Sequence, residues 1–503
     1  MKRIVNALSN LNWGKRAYAV SVLCAATAIT LPAQTFTTLH SFDGTDGYLP
    51  AAGLVQATNG DFYSTTTSGG TNGIGTVFKI TPSGTLTTLY SFCNVDCTDG
   101  YFPAAGLVQA TNGDFYGTTL NGGASSNCAD GCGTIFKVTP SGTLTTLYRF
   151  DGTDGYFPAA GLVQATNGDF YGITTYGGAN DNCEYGGVTV GCGTVFKITP
   201  SGTLTTLYSF CAQSGCTDGE SPAAGLVQAT NGDFYGTTGH GGAYGHGTVF
   251  KITPRGTLTT LYSFCTQSGC PDGAYPNGLV HATNGNFYGT TAGGGTSPFL
   301  PGAGTVFKIT PGGTLTTLYN FCSQSGGVCP DGIDPLAALV QATDGDFYGT
   351  TYEGGANLSG TVFKITPSGT LATLYSFCAQ SGCTDGIGPL AALVQDTNGD
   401  FYGTTYYGGA AGDGTVFRLS VGLCPFVKTR PHFGKVGAAV KILGTDLTGA
   451  TSVSFNGTPV TSLTVNSSGS AISTTVPVGA TTGFVTVTTP TGTLKSNVKF
   501  RVP

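Results

Sequence analysis

Short runs rich in Thr, Val, Phe and Tyr recur along most of the chain, and four different runs return in the same order. In the second occurrence they are GLVQA (106–110), FYGTT (115–119), GTIFKVT (133–139) and TLTTLYRF (143–150). Apolar residues lie on both faces of each run, as expected for strands that are covered on both sides. Asn112-Gly113 between the first two runs predicts a tight hairpin of type I′, in which both central residues have positive φ. The pattern therefore predicts a repeated unit of four antiparallel strands.

Seven copies of this unit are marked by a Phe-Tyr pair in the second run, which begins at Phe62, Phe115, Phe170, Phe234, Phe287, Phe347 and Phe401. A lone fourth run, 35–42, precedes the first copy, and the last copy stops after its third run, 414–420. These incomplete ends are complementary, which favours a closed ring over an open solenoid with polar caps. We therefore expect an all-β chain in which residues 34–421 form a seven-bladed β-propeller closed by the N-terminal strand.

Residues 425–503 lack the repeat and carry short alternating strands, which predicts a β-sandwich as a second domain. The segment resembles the IPT/TIG immunoglobulin-like domain at Gly434, Gly437, Gly444, Phe455-Asn456-Gly457, Val476-Pro477, Gly483 and Phe500. The resemblance implies a spacer or a contact module of a surface protein.

The repeat also resembles known families. The order of a Pro-x-x-Gly-Leu-Val run, a Gly-containing turn, an aromatic run and a Val-Phe-Lys-Ile run resembles the NHL type of propeller blade. The longer pattern GDFYGTT...GG...GTVFKITPSG is similar to the tandem repeat of the bacterial choice-of-anchor family labelled GloVer, over residues 35–420. These resemblances imply the repeat architecture and no particular activity.

The composition narrows the class of partner. Charged residues make up 9% of the chain, and the net charge of −6 is spread thinly without a basic stripe. Nucleic-acid binding needs clustered Lys and Arg that displace counterions, so the sequence argues against it. The hydrophobic fraction of 40% excludes a disordered chain.

Residues 1–33 have the pattern of a secretory signal peptide. A positive start that includes Lys15 and Arg16 precedes an apolar stretch at 17–31, and Ala33 is a candidate cleavage point. The stretch is shorter than the roughly 20 residues that a membrane span needs. We expect a secreted or cell-surface protein without a membrane span after signal removal; retention of the segment as an N-terminal anchor is the alternative.

Cysteine spacing supports an oxidising compartment, because most of the 16 cysteines form local pairs in loops of the repeats. The pairs are Cys93/Cys97, Cys128/Cys132, Cys183/Cys192, Cys211/Cys216, Cys265/Cys270, Cys322/Cys329 and Cys378/Cys383. Each pair predicts a disulfide that closes one loop. Zinc binding is the rival interpretation, but these spacings without convergent His suit it poorly. Cys424 has no neighbouring cysteine, and both a free thiol and an intermolecular link remain open.

An aspartate precedes Gly in the loop that leads into each first strand. These residues are Asp46, Asp99, Asp154, Asp218, Asp272, Asp331 and Asp385. In a closed propeller they would form a ring on one face, and a carboxylate ring could hold calcium. The alternative is that Asp-Gly is good turn chemistry, repeated because the units repeat. No other cofactor is expected.

The position just before Gly-Gly, after the second strand, varies while the scaffold around it stays constant. It carries Ser68, Asn121, Tyr176, His240, Gly293, Glu353 and Tyr407, and Tyr352 and Tyr406 lie one position earlier. Variable loops on a constant scaffold are typical of recognition surfaces. The candidate ligand-binding residues are therefore Tyr176, His240, Tyr352, Glu353, Tyr406 and Tyr407, whose rings could stack on sugars or contact protein. Surface drift without selection is an equally good explanation.

No catalytic constellation stands out. The five histidines are scattered, and the three glutamates, Glu184, Glu220 and Glu353, belong to different copies. We expect a non-catalytic binding or adhesion protein whose propeller face meets a glycan or protein ligand. A carbohydrate-active enzyme with face carboxylates and a structural envelope component are the alternatives. The sequence leaves the ligand and the oligomeric state open.

Overall fold

The computed structural model describes residues 34–503 except 94–95, 124, 126, 129, 186, 298–301 and 324–328. The predicted signal peptide, residues 1–33, lies outside the described residues. Within the described part of the chain, no helix is long and apolar enough to span a membrane.

The repeat region consists of short strands joined by tight turns. Its strands are β1 (Thr35–Ser41), β2 (Val55–Gln56), β3 (Phe62–Thr66), β4 (Thr76–Ile80), β5 (Leu86–Ser91), β6 (Val108–Gln109), β7 (Phe115–Thr119), β8 (Thr134–Val138), β9 (Leu144–Arg149), β10 (Val163–Gln164), β11 (Phe170–Thr174), β12 (Cys183–Tyr185), β13 (Val188–Val190), β14 (Thr194–Ile198), β15 (Leu204–Ser209), β16 (Val227–Gln228), β17 (Phe234–Thr238), β18 (Thr248–Ile252), β19 (Leu258–Ser263), β20 (Ala274–His281), β21 (Phe287–Gly293), β22 (Thr305–Ile309), β23 (Leu315–Asn320), β24 (Val340–Gln341), β25 (Phe347–Thr351), β26 (Thr361–Ile365), β27 (Leu371–Ser376), β28 (Val394–Gln395), β29 (Phe401–Thr405) and β30 (Thr415–Ser420). Two 3-10 turns, Ser214–Cys216 and Ser381–Cys383, lie in disulfide-closed loops.

These strands form repeated four-stranded antiparallel sheets, numbered 1 to 7 along the chain. Five sheets use four consecutive strands: β2–β5, β6–β9, β16–β19, β20–β23 and β24–β27. Sheet 3 is β10, β11, β14 and β15, and its insertion forms the separate hairpin β12–β13. Sheet 7 is β28, β29, β30 and β1, and β1 pairs with β30 from Thr35 opposite Ser420 to Ser41 opposite Thr415. The prediction that the N-terminal strand completes the last sheet is confirmed.

The hairpin turn between the first two strands differs from the predicted type I′. In the first copy the N–H of Ala57 donates to Asp61 O, and the N–H of Gly60 donates to Ala57 O. Gly60 has a φ of 92°, whereas Asn59 is not left-handed. The asparagine side chain instead supports the turn, because its amide donates to the Asp61 carboxylate and to the Tyr63 hydroxyl.

Aromatic side chains join each sheet to the next. The second-strand tyrosine of one sheet stacks on the second-strand phenylalanine of the following sheet, as in Tyr63–Phe115, with ring centroids 4.0 Å apart. The same contact recurs in Tyr116–Phe170, Tyr171–Phe234, Tyr235–Phe287, Tyr288–Phe347 and Tyr348–Phe401. Tyr402 of sheet 7 stacks on Phe62 of sheet 1 at 4.3 Å, so the last sheet packs against the first. Burial of such rings is the dominant source of stability between the sheets.

Residues after β30 form two further four-stranded antiparallel sheets. Their strands are β31 (Lys428–Arg430), β32 (Ala439–Leu443), β33 (Ser452–Phe455), β34 (Thr458–Pro459), β35 (Thr464–Val465), β36 (Ala471–Thr475), β37 (Val485–Thr489) and β38 (Gly492–Lys495). One sheet has the order β31-β32-β36-β35 and the other β34-β33-β37-β38. Ile442 and Ile472 of the first sheet and Val453 and Val487 of the second belong to one buried cluster. We call residues 426–503 the C-terminal unit.

The two ends of the repeated sheets differ in sequence. One end carries the turns inside each sheet, with the constant sequences Thr-Asn-Gly-Asp and Pro-Ser-Gly in most copies; we call it the constant face. The opposite end, the variable face, carries the loops between second and third strands and the loops that lead from one sheet into the next. The C-terminal unit contacts the constant face, where the N–H of Phe426 donates to Thr397 O at 2.9 Å and Lys428 Nζ donates to Gln56 Oε1 at 3.0 Å.

Candidate functional site

The variable face is built from positions at which the seven copies differ. In six sheets the residue after Asp-Gly forms a β-bridge with the residue before Gly-Gly: Tyr48–Ser68, Tyr101–Asn121, Tyr156–Tyr176, Glu220–His240, Ile333–Glu353 and Ile387–Tyr407. In sheet 5 the equivalent residues, Ala274 and Gly293, pair within β20 and β21. Two variable side chains are therefore fixed beside each other in six of the seven sheets.

A second set of variable residues has a left-handed backbone, which the sequence analysis missed. Each directly precedes a proline, and the set is Leu49, Phe102, Phe157, Ser221, Tyr275, Asp334 and Gly388, with φ between 52° and 62°. Bulky residues rarely adopt this conformation, and such strain clusters at functional sites. The neighbouring sheet holds it in place; the N–H of Tyr275, for example, donates to His246 O at 3.0 Å. A varying residue before a constant proline was the available sequence signal.

Four of the six predicted ligand-binding residues come together on sheets 6 and 7. The Tyr406 and Tyr407 rings lie 4.7 Å apart and nearly perpendicular. Burial raises the pKa of Tyr406, and the nearby Tyr407, Tyr352 and Tyr48 hydroxyls add to the shift. Glu353 lies next to Tyr352 in the chain and interacts electrostatically with Asp334, whose carboxyl pKa is raised first by burial and then by this glutamate. Tyr48 and Asp334 were not among the ligand-binding residues predicted from the sequence.

His240 lies in a different aromatic group, on sheets 4 and 5. Its ring is 5.2 Å from the Tyr275 ring, and His246 lies 5.5 Å from the same tyrosine. Tyr275 is 39% exposed and Tyr244 is 52% exposed. The His240 ring and the two tyrosines are exposed, whereas His246 is half-buried, and the group is separate in the chain from the tyrosines of sheets 6 and 7.

Tyr176 belongs to a third group, on sheet 3. Its ring lies 6.2 Å from both Tyr156 and Phe157. On sheet 2, Tyr101 packs at 4.9 Å against Phe102. Aromatic side chains therefore occur on the variable face of most sheets, and they supply flat surfaces with polar tips.

The aspartate ring is engaged by the protein itself. Each carboxylate is bonded to the aromatic residue near the end of the preceding fourth strand: His40–Asp46, Tyr90–Asp99, Tyr148–Asp154, Tyr208–Asp218, Tyr262–Asp272, Tyr319–Asp331 and Tyr375–Asp385. Asp218 also accepts from the N–H groups of Ala212 and Gln213 at 3.0 and 3.2 Å. Burial, followed by the bond to Asp272, raises the pKa of Tyr262 to about 12. These bonds agree with the turn interpretation. In the described residues the second carboxylate oxygens of Asp99, Asp272 and Asp331 are buried without a hydrogen-bond partner, and calcium binding stays a prediction.

The structure joins every predicted cysteine pair. The disulfides are Cys93–Cys97, Cys128–Cys132, Cys183–Cys192, Cys211–Cys216, Cys265–Cys270, Cys322–Cys329 and Cys378–Cys383. Cys424 is also disulfide-bonded, so the free-thiol interpretation was wrong. Seven such bonds indicate an oxidising, extracellular environment.

Within the described residues, two groups bring three or more metal-ligating side chains together. One contains Cys192, Cys211, Cys216 and Glu220, and the other contains His246, Cys265 and Cys270. All of these cysteines are in disulfides, so they offer no thiolate to a metal. Neither group includes an aspartate of the predicted ring.

Comparison with known proteins agrees with the repeat architecture. Residues 25–188, 182–333 and 328–450 match the family model described as the Gloeobacter/Verrucomicrobia repeat. No functionally curated protein matches the chain.

Several solved structures are similar to this chain at low identity. A fungal alcohol oxidase of the AA5 family, in complex with copper, aligns with 94% of this chain and 100% of its own, at 13% identity and a TM-score of 0.50. The extracellular domain of a hybrid two-component system from B. thetaiotaomicron aligns with 88% of this chain and 50% of its own, at 12% identity and a TM-score of 0.44. A gluconolactonase from Xanthomonas campestris aligns with 79% of this chain and 93% of its own, at 12% identity and a TM-score of 0.38. The structural neighbours are β-propeller proteins, and the likeness concerns the fold alone.

Proposed function

The chain belongs to the Gloeobacter/Verrucomicrobia repeat family, and we propose that it is a non-catalytic binding protein that works outside the cell. The variable face would contact a glycan or a protein, as a recognition surface on a seven-bladed propeller. The observation that carries this proposal is the clustering of Tyr352, Glu353, Tyr406 and Tyr407, which vary between copies, on one face of a constant scaffold.

The position of the C-terminal unit supports this choice of face. The unit bonds to the constant face through Lys428 and Phe426, which leaves the variable face uncovered by it. We propose that the unit is an immunoglobulin-like domain of the IPT/TIG kind that acts as a spacer. Its two four-stranded sheets around one buried cluster support this assignment.

A glycan array probed with the full chain tests the binding proposal. We expect binding that falls at least about fivefold when Tyr406 and Tyr407 are both replaced by alanine, because an exposed ring and the half-buried ring beside it are lost. Lys79→Ala, on the constant face, serves as the control and should bind like the wild type. Equal loss in both variants, or binding unaffected by either, would place the ligand elsewhere; no binding to any glycan or envelope fraction would favour a structural envelope role.

A glycan-active enzyme is the second candidate, because Asp334 and Glu353 interact and the pKa of Asp334 is raised. Glycosidases use two carboxyl groups with separated pKa values. Incubation of the chain with each bound glycan, followed by an assay for new reducing ends, tests this candidate. Release that disappears in Glu353→Gln but persists in Glu184→Gln would replace the binding proposal with catalysis.

A further inference from the structure

Two carboxylates on the variable face of sheet 6 have no compensating charge in the part of the chain that the structure describes. In the described residues, neither the Asp334 nor the Glu353 carboxylate has a side-chain hydrogen bond or an ion pair, and Asp334 is half-buried. The lysine and arginine residues between 329 and 420 are Lys364 and Arg418, and His40 of β1, in sheet 7, pairs with Asp46. The lysine and the arginine lie towards the constant face, where Lys364 pairs with Asp344 and Asp346 and Arg418 pairs with Asp400.

Tyrosine side chains flank these carboxylates. The ring of Tyr352 passes over Gly388, where a Cβ would lie only 2.7 Å from Tyr352 Cε2, so the glycine makes room for the ring. Burial raises the pKa of Tyr352, with smaller contributions from Tyr407 and Glu353. The Tyr352 phenol therefore keeps its proton at neutral pH and can donate a hydrogen bond. Tyr407 is 39% exposed, which leaves its ring open to a ligand.

Aromatic rings with nearby uncompensated carboxylates suit a cation. Tyrosine faces attract ammonium groups through the ring quadrupole, and a carboxylate beside them adds charge attraction. The flat rings and phenol hydroxyls also suit a sugar, which stacks on the ring and accepts hydrogen bonds. An anionic sugar would be repelled by Asp334 and Glu353.

We propose that this part of the variable face binds an amino sugar through its protonated amine, with Asp334 and Glu353 as the anionic partners and Tyr352, Tyr406 and Tyr407 as the aromatic walls. This rests on the proposed function and names the ligand class for its site. A polymer of glucosamine units is the ligand type with this chemistry.

Isothermal titration of the full chain with a glucosamine hexamer and with the N-acetylglucosamine hexamer tests the proposal. The two ligands share the sugar backbone, but acetylation removes the positive charge. We expect the amine form to bind at least about tenfold more tightly in dilute buffer, and the difference to shrink in about 0.5 M salt because charge attraction is screened.

Variants of Asp334 and Glu353 test whether the preference for the amine form arises at this site. Asp334→Asn and Glu353→Gln should each weaken the amine form about fivefold and leave the acetylated form unchanged. Asparagine tolerates the left-handed backbone of position 334, and equal melting temperatures would verify folding. Glu184→Gln, an exposed glutamate in the insertion of sheet 3, is the matched control and should change neither affinity.

The outcomes separate this proposal from the one on which it rests. Equal affinity for both hexamers, or a preference for the amine form that survives both variants, would overturn the amino-sugar assignment. Failure of both hexamers to bind, while another glycan binds and is lost in the Tyr406/Tyr407 variant, would overturn it and leave the binding function intact. Absence of any ligand on the variable face would overturn both.

Discussion

Asp218 is fully buried and accepts hydrogen bonds from the Tyr208 hydroxyl and from two backbone N–H groups. The sequence predicted the ring of aspartates but left calcium and turn chemistry open, because it did not show which donors face each carboxylate. The donors are a tyrosine near the end of the preceding strand and the backbone of the loop between them. The repeated aspartate therefore stabilises its loop by accepting hydrogen bonds. The sequence alone could not distinguish this role from calcium binding, because aspartate serves both.

Replacement of Asp218 by alanine should lower the free energy of unfolding by about 2–3 kcal/mol, because three donors lose their acceptor in a buried loop. Asp181→Ala, at an exposed loop position, should change it by less than about 0.5 kcal/mol. Urea denaturation measures both. The structural role is wrong if about 1 mM calcium stabilises the wild type and this stabilisation is absent in Asp218→Ala.

The equivalent bond in the next sheet, from the Tyr262 hydroxyl to Asp272, predicts a loss of stability in alkali. Tyr262 has a pKa of about 12 when folded, against a usual value of 10.0. A raised pKa means that the folded chain holds the proton more tightly, so the stabilisation is complete below pH 10 and disappears as pH rises through about 12. Thermal unfolding at several pH values should show a shallower alkaline decline in Tyr262→Phe than in the wild type. Tyr275→Phe, at an exposed tyrosine, should follow the wild type; an identical decline in both variants would contradict the assignment.

At the scale of the strands, the four-run pattern predicted each sheet, since alternation and turn residues are local signals. The partner of β1 followed from the complementary ends of the chain. The hairpin type was wrong, because the Asn59 side chain bonds to Asp61 and Tyr63 and only Gly60 is left-handed. The left-handed residues before proline were missed, since contacts with the neighbouring sheet impose them. The β12–β13 hairpin was also missed, because it forms inside an insertion without a repeat to compare.

The closing strand predicts a specific weak point. Phe36 of β1 stacks on Tyr375 at 3.9 Å and lies 5.3 Å from Phe417, so it joins sheet 7 to sheet 6. Phe36→Ala should lower the unfolding free energy by about 2–3 kcal/mol and speed proteolysis of the N-terminal strand. Thr35→Ala, an exposed neighbour, should do neither. Unchanged protection in Phe36→Ala would show that β1 is not needed to close sheet 7.

At the scale of the molecule, the junction with the C-terminal unit depends on one departure from the repeat. Asp396 occupies the position that is alanine in the other six copies. Gln56 donates to this aspartate and accepts from Lys428. Burial, followed by Arg430, lowers the pKa of Lys428 to about 7, and burial raises the pKa of Asp396. The aspartate at position 396 is visible in the sequence as a departure from the repeat. Its contacts with Gln56 and Lys428 could not be predicted, because they depend on how the C-terminal unit packs against the sheets.

Removal of Lys428 should loosen this junction. In Lys428→Ala, Gln56 Oε1 and the Gln395 carbonyl lose their donor, and Asp396 loses its nearby positive charge. We expect faster thermolysin cleavage in residues 421–426, with little change for Lys441→Ala at an exposed strand position. Cleavage at the wild-type rate in Lys428→Ala would show that other contacts hold the unit.

Hydrogen exchange of the full chain, with and without the glucosamine hexamer, reports which end of the sheets meets a ligand. Binding at the variable face should slow exchange in residues 333–335, 352–355, 387–389 and 406–409. Exchange in the constant-face turns at 57–61 and 396–400 should stay unchanged. Slower exchange confined to those turns would instead place the binding surface at the opposite end of the sheets.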